Sequence, residues 1–350
     1  MNRRHFLDFM SAGAMVAMSG CAGRASNTRQ DVSAERQVMT VLGAIKSNDM
    51  GITLAHEHLL ASFQPYEEWA RAPLAYDRDE VVAIDLPYLQ RIREFGCRTF
   101  IDATAVGLGR DPVLLRRLSR ESGLHILTTT GNYAAFDSQF LRPYVLTDSA
   151  EQLAARWIEE WTHGIEGTEV RPGFIKLGFN GKSLTAIEQK MIRAGAIAHL
   201  ATGMTIGAHT GPAIAAFEQL AILKDSGVSP SAWIWIHAQN EKDLSRHVDA
   251  ARRGAWVSLD GVAPDSVDSH VAMVRNLRDA RLLHRALVSQ DAGWYSVGEP
   301  HGGKFRTFET VFTRFIPALR ANGFTQGEIH TLFVDNPASA FSIGVRARSS

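Results

Sequence analysis

The chain has 350 residues, of which 45% are apolar and 21% charged, with 37 basic and 37 acidic side chains. That composition supplies a globular core and excludes a largely disordered chain, and the lack of net positive charge excludes a strongly basic nucleic-acid binder. With only Cys21 and Cys97 a disulfide scaffold is excluded, and no apolar run approaches the roughly 18 residues of a membrane span.

In chain order, Arg3-Arg4 ahead of Phe6-Leu7 and a weakly apolar stretch from Phe9 to Gly20 read as a twin-arginine export signal over residues 1–21. Met18-Ser19-Gly20-Cys21 resembles a lipobox, although Met18 stands where leucine is usual. Export to the periplasm, with Cys21 as a lipid-bearing anchor, is the expectation. Residues 22–37 are small and polar and read as a tether. A single domain is expected over residues 38–345, opened by a hairpin of Val38–Leu42 and Ala44–Lys46.

Eight short apolar runs then alternate with helical patterns: Gly51–Glu57, Arg98–Thr104, His125–Thr130, Gly173–Leu177, Met204–Ala208, Trp233–Ile236, Ala255–Leu259 and Ala286–Ser289. Their mean spacing of about 34 residues is that of one βα unit. Asp111-Pro112 marks a helix start, as do the capping boxes Thr185/Glu188 and Thr325/Glu328. Continuous apolar strands separated by helices predict a parallel sheet covered on both faces, and eight units favour a closed (β/α)8 TIM barrel over a doubly wound open sheet. No G-x-G-x-x-G follows any strand, which weakens a dinucleotide reading.

In such a barrel the chemistry sits at the C-terminal ends of the strands. His56 and His58 end the first, on one face of an extended segment with Glu57 on the other. The fourth carries Lys176, the fifth ends at His209, the sixth at His237 and the eighth near Asp291. Two imidazoles at that spacing can grip a divalent ion. A lysine ammonium has no lone pair, but a lysine carboxylated by CO2 is an anion that can bridge two ions. Singly, each has a plainer reading: a hydrogen-bonded core histidine, a paired lysine, an N-cap aspartate. Placed on five separate strand ends, they read together as one site.

Gly51-Ile52-Thr53-Leu54-Ala55-His56-Glu57-His58 resembles the G-x-T-L-x-H-E-H signature of the phosphotriesterase family of the amidohydrolase superfamily. Residues 99–131 and Asp335-Asn336-Pro337-Ala338 are similar to family segments too, and the resemblance runs from about Val38 to Phe341. It implies a metal-dependent ester hydrolase with two divalent ions, usually zinc. His56, His58 and Asp291 would hold the more buried ion, and His209 and His237 the more exposed one. Lys176, carboxylated on its amine, would bridge both together with a hydroxide that attacks the substrate, and Asp291 would accept the proton.

Tyr133 stands where lactonases of the family carry a tyrosine over the metals. The expected substrate is therefore a lactone or related carboxylic ester. The alternatives are phosphotriester hydrolysis and a non-catalytic ligand-binding lipoprotein. The resemblance also implies a homodimer. The chain departs from the family's proton relay: Gly261 follows Asp260 where a histidine or arginine is usual, and Asn240 replaces an aspartate. The segment His237–Glu241 is expected to make its own polar contacts to substrate. The loop Gly293–Lys304 is too short for a long lipophilic lid, and its His301 and Lys304 suggest either a polar, anionic or sugar-like substrate or a solvated turn. His163, His270, His284 and His330 read as surface or satisfied residues, and Trp157 and Trp161 as core.

Overall fold

The computed structural model describes residues 36–348. The expected signal, Cys21 and all of the tether but Arg36 and Gln37 lie outside the described residues. Gln37–Thr40 (β1) and Gly43–Lys46 (β2) pair antiparallel as the opening hairpin.

The strands that follow are β3 (Ile52–Ala61), β4 (Cys97–Asp102), β5 (His125–Leu127), β6 (Thr129–Thr130), β7 (Phe174–Gly178), β8 (Thr205–His209), β9 (Trp233–Ile236), β10 (Trp256–Leu259) and β11 (Ala286–Val288). They pair in parallel as β3–β4–β5 and as β6–β7–β8–β9–β10–β11. Thr128 alone separates β5 from β6, so the two are halves of one barrel strand. The ring closes where Asp291 N donates to His56 O (3.1 Å) and His58 N to Ala292 O (2.9 Å). The expected eight-stranded barrel is the fold.

Adjacent residues of each strand go to opposite sides, and both sides are dry. Ala55, Ile101, Leu127, Phe174, Ile234 and Leu287 fill the interior, with Val38, Met50 and Phe341 in the same cluster. Their neighbours Leu54, Phe100, Ile126, Ile175, Trp235 and Val288 pack with the helices outside. This two-sided burial is why the strands read as unbroken apolar runs.

One strand was not expected. Gly293–Ser296 (β12) pairs in parallel with the end of β3, Gly293 opposite His58. A Cβ on Gly293 would lie 1.8 Å from the His58 carbonyl oxygen, at φ +99°, so only glycine permits this approach. The segment after the eighth strand is thereby bound to the strand that carries both leading histidines.

The caps form as read. Asp111 accepts from the N–H groups of Val113 and Leu114, and both Thr185/Glu188 and Thr325/Glu328 are reciprocal capping boxes. Trp157 is buried, its indole donating to Asn132 Oδ1 (3.1 Å), and Trp161 packs against the core. Asn336, in the Asp335–Ala338 segment, donates to the carbonyls of Leu283 and Ala286 and so pins the entry to β11.

Asp85 is an anomaly on the helix Arg78–Glu94: it is fully buried and neither carboxyl oxygen has a hydrogen-bond partner. Burial, then the charge of Asp102, pushes its pKa well above the usual carboxylate value. A folded-state pKa that is raised means the folded chain holds the proton more tightly than the unfolded one. Its stability is then undiminished below the unfolded value and falls as pH rises towards the folded value. Asp85→Asn removes that fall. The variant is expected to gain about 1 kcal/mol or more over the parent at about pH 8 and to converge with it near pH 4, read by thermal midpoints across pH.

Candidate metal centre and active site

Six side chains singled out by position converge on one cavity of about 180 Å³ at the C-terminal end of the barrel: His56, His58, Lys176, His209, His237 and Asp291. Tyr133 lines it as well. His56 and His58 project from within β3, which runs on to Ala61, and Lys176 from within β7; His209 ends β8, and His237 and Asp291 lie in the turns after β9 and β11.

The β3 histidines are braced from behind. His56 Nδ1 lies 3.1 Å from Asp260 Oδ2 and His58 Nδ1 lies 2.8 Å from Thr104 Oγ1. Their Nε2 atoms are thus left facing the cavity. Asp291 Oδ1 approaches those atoms, at 3.1 Å from His58 Nε2 and 3.7 Å from His56 Nε2, yet it is buried with no hydrogen bond of acceptable geometry. Lys176 Nζ lies 3.2 Å from His56 Nε2. His237 lies between His56 and His209, its ring tilted to the first at 5.1 Å and edge-on to the second at 4.3 Å between centroids. His209 Nδ1 lies 2.9 Å from the Tyr133 hydroxyl.

Two of these residues sit in backbone conformations that side chains normally avoid: His237 at φ +61° and Asp291 at φ +51°. The surroundings hold them. Asp260 accepts from the His237 backbone N–H as well as facing its Nδ1 (2.7 Å). The Asp291 turn is fastened by Glu57, which accepts from Ser289 Oγ (2.7 Å), Gln290 N (3.0 Å) and Ala292 N (2.7 Å). Gly178 serves the far side, because a Cβ there would lie 2.3 Å from the Tyr133 ring and would displace its hydroxyl from His209.

Electrostatics match a site built to hold cations. Burial, then the neighbouring Lys176, lowers His56 to about 4, and burial with His237 and Lys176 holds His209 well below the ordinary imidazole value. Burial lowers Lys176 to about 8. Against the cost of burial, the charges of His56, His58 and His237 hold Asp291 far below the usual carboxylate range. Against the same cost, Asp260 raises His237. Neutral imidazoles and an ionised carboxylate are the forms that bind metal; His56, His209 and Asp291 are shifted towards them, while His237, paired with Asp260, is shifted the other way.

The ligand atoms of His56, His58 and Asp291 lie within 4.8 Å of one another, as do those of His56, His237 and Asp260. Only the first set fits an ion in the cavity. In the second, Asp260 is spent: its oxygens face His56 and His237 and accept from Ser258 Oγ (2.7 Å) and Gln239 Nε2 (3.1 Å). The buried Asp291 oxygen, the two Nε2 atoms that face it and the Lys176 amine beside them make a donor set suited to divalent cations.

Sequence reasoning missed Asp260 as the brace of two histidines, although Asp260 stands at the end of β10 beside the noted Gly261. It also missed Glu57 as the clamp on the Asp291 turn. Of the segment His237–Glu241, expected to contact substrate, His237 lines the cavity while the polar side chains after it are engaged elsewhere. Gln239 is held by Asp260 at both ends, donating to Oδ1 and accepting from the backbone N–H (3.2 Å), and Glu241 accepts from Ala213 N and Asp243 N. A Cβ at Gly261 would lie 2.6 Å from Gln239 Nε2, so the glutamine fills the space beside that glycine. Of the two readings of His301 and Lys304, the solvated turn is the one the geometry favours. His301 is 87% exposed and pairs with Glu80, and neither it nor Lys304 lines the cavity. The wall is aromatic instead: Phe63 stacks on Trp294 (5.3 Å), Trp294 lies against His58 (4.3 Å), and Phe136 stacks on Tyr133 (6.3 Å). Of the other histidines, His163 and His330 pair with Glu159 and Asp335, His284 is exposed, and buried His270 keeps one ring nitrogen unpartnered.

Comparison with known proteins agrees with this geometry. The chain is 30% identical over 295 residues to the phosphotriesterase homology protein of Escherichia coli, covering 83% of this chain and 98% of that one. It is 29% identical to an aryldialkylphosphatase of Saccharolobus solfataricus (85% and 97% covered) and 25% identical to the human N-acetyltaurine hydrolase (86% and 96% covered). The crystal structure of a lactonase from Listeria monocytogenes superposes with a TM-score of 0.76 at 26% identity, covering 88% of this chain and 99% of that one. Residues 36–341 match the sequence profile of the phosphotriesterase family. With the signature histidines, the strand-end lysine and the orphaned aspartate in one barrel mouth, the chain belongs to the phosphotriesterase family.

Proposed function

We propose that this hydrolase opens small, neutral lactones or related carboxylic esters, using two divalent cations. His56, His58 and Asp291 would hold one, His209 and His237 the other, and Lys176, carboxylated on Nζ, would serve both. The observation that carries the reading is the buried Asp291 oxygen facing two histidine nitrogens whose opposite ring atoms are already braced. Bound cations supply Lewis acidity, which lowers the pKa of water and polarises the scissile carbonyl.

The chain's own residues do the rest. Asp291 accepts the proton released as water adds to the carbonyl and returns it to the departing alkoxide, so that ester and water become acid and alcohol. Tyr133, whose pKa is raised by burial, stays protonated and donates a hydrogen bond to the ester oxygen. Phe63, Phe136 and Trp294 bind the apolar part of the substrate and exclude water. Among the described residues no lysine or arginine other than Lys176 lines the cavity, which favours a neutral substrate. The same aromatic wall suits the aryl groups of a phosphotriester, and that chemistry is the second reading. On sequence alone, the proposal extends to export, a lipid anchor at Cys21 and a homodimer.

The test is a panel of γ- and δ-lactones, aryl esters and an aryl phosphotriester, run on metal-replete full-length chain carrying Cys21→Ser. A lactone is expected to lead in kcat/KM. A lead for the phosphotriester would turn the assignment to the second reading. Tyr133→Phe separates the two further. It is expected to lower lactone kcat/KM by about ten- to a hundredfold, the loss of one transition-state hydrogen bond, and to spare the phosphotriester.

A further inference from the structure

A second cavity, of about 660 Å³, opens at the opposite end of the barrel. Its wall includes Ser231 just before β9, Trp256 at the start of β10, Arg285 just before β11, and Arg36 and Arg346 from the two ends of the described chain. Three guanidiniums and His284 therefore share this space with one carboxylate, Asp335. Asp335 is engaged elsewhere, 3.4 Å from His330 Nε2 and accepting from Thr331 Oγ1 (3.2 Å).

The arginines divide into a fixed charge and two free donors. Arg346 gives its N–H groups to neutral acceptors: the carbonyls of Ser231 (2.9 Å), Ser342 (2.9 Å) and Gly344 (3.3 Å), and Thr205 Oγ1 (2.5 Å). It is anchored, but among the described residues no carboxylate pairs with its charge. Arg285 lies over the Trp256 ring at 5.0 Å and makes no side-chain hydrogen bond or ion pair among the described residues. The same holds for the Arg36 side chain, whose residue is tied only through its carbonyl to Ser47 N. Burial, and after it the charges of Arg36 and Arg285, bring Arg346 down to about 10.

We propose that this cavity is a binding site for a phosphate group, with Arg36 and Arg285 donating to its oxygens and Arg346 supplying positive charge from behind. Planar guanidinium forks match two oxygens of a phosphate, and convergent arginines without carboxylates are stabilised by an anion between them. The volume lies within the range of small-molecule sites, so a phosphorylated organic group fits where a bare ion would leave most of the space to water. Two sources share that chemistry, a soluble phosphate monoester and a phospholipid headgroup. The 15 residues from Cys21 to Arg36 span at most about 50 Å, so an acylated Cys21 would leave a bilayer within reach of this face.

The probes are glycerol 1-phosphate, by calorimetry, and vesicles of phosphatidylcholine with about 30% phosphatidylglycerol, by co-sedimentation against pure phosphatidylcholine. Both are applied to the metal-replete full-length chain with Cys21→Ser, so that no acyl group mediates binding. At least one probe is expected to bind in a salt-sensitive way, about tenfold more weakly to Arg36→Ser/Arg285→Ser, whose hydrolase activity is expected to be unchanged. Binding of glycerol 1-phosphate assigns the soluble source, and binding to the anionic vesicles alone assigns the headgroup. Asp335→Asn removes the one carboxylate and is expected to tighten binding; this gain decides the matter should the double variant fold poorly. The proposal is overturned if neither probe binds, if the folded double variant binds like the parent, or if Asp335→Asn brings no gain where the double variant cannot be read.

Discussion

Asp291→Asn will lower kcat for the best substrate by about a thousandfold and leave the thermal midpoint of the apoprotein within a few degrees of the parent. Asparagine keeps the shape of the side chain but cannot take up a proton, and a general base contributes about 10²–10⁴ in rate. The backbone at this position is held by contacts that do not use the carboxylate. The turn is fastened by Glu57 through three donors, and the Asp291 carbonyl accepts from Trp294 Nε1 (3.0 Å) and Arg306 Nη1 (2.9 Å), contacts that asparagine keeps. Asp291 is also a ligand in the proposed centre, so metal content by elemental analysis should fall below that of the parent. Both readouts are needed. A variant that keeps metal and still loses turnover isolates the proton role, whereas one that keeps a tenth or more of parental kcat removes Asp291 from the chemistry.

The barrel and the six converging residues were legible for one physical reason. A parallel strand buried on both faces is an unbroken apolar run, so a histidine, lysine or aspartate at its end stands out against it. Trp233–Ile236 followed by His237 is the plainest case. What stayed hidden depends on partners far away in sequence. Asp260 reaches His56 across 204 positions and Glu57 reaches Ser289 across 232, and no local pattern records such pairs. β12 was hidden because Gly-Trp-Tyr-Ser carries no strand-length apolar run; its place is set by backbone pairing to β3 that only Gly293 permits. The aromatic rim was hidden because Phe63 and Phe136 lie in loops and are about half exposed, at 49% and 54%, where neither periodicity nor burial marks them.

Asp260→Ala will have the widest effect of any substitution at a residue not proposed to touch metal. The carboxylate is fully buried and takes His56 Nδ1, His237 Nδ1 and N–H, Ser258 Oγ and Gln239 Nε2. Removing one partner from a buried charged network leaves the others desolvated and unpaired, at a cost of about 3–5 kcal/mol. The two histidines belong to different proposed ions, so loosening both should weaken the whole centre. Loss of an outer partner of a ligating histidine typically costs about 10–100-fold in metal affinity. His237 carries a further burden, since its φ of +61° is held in part by the Asp260 bond to its own N–H. Metal titration of the apoprotein and thermal unfolding with and without metal separate the effects. Weaker affinity with a lowered apo midpoint is the expected pair. An unchanged metal affinity would mean that Thr104, the surrounding packing and the ions themselves are enough to aim the imidazoles, and that Asp260 serves the fold alone.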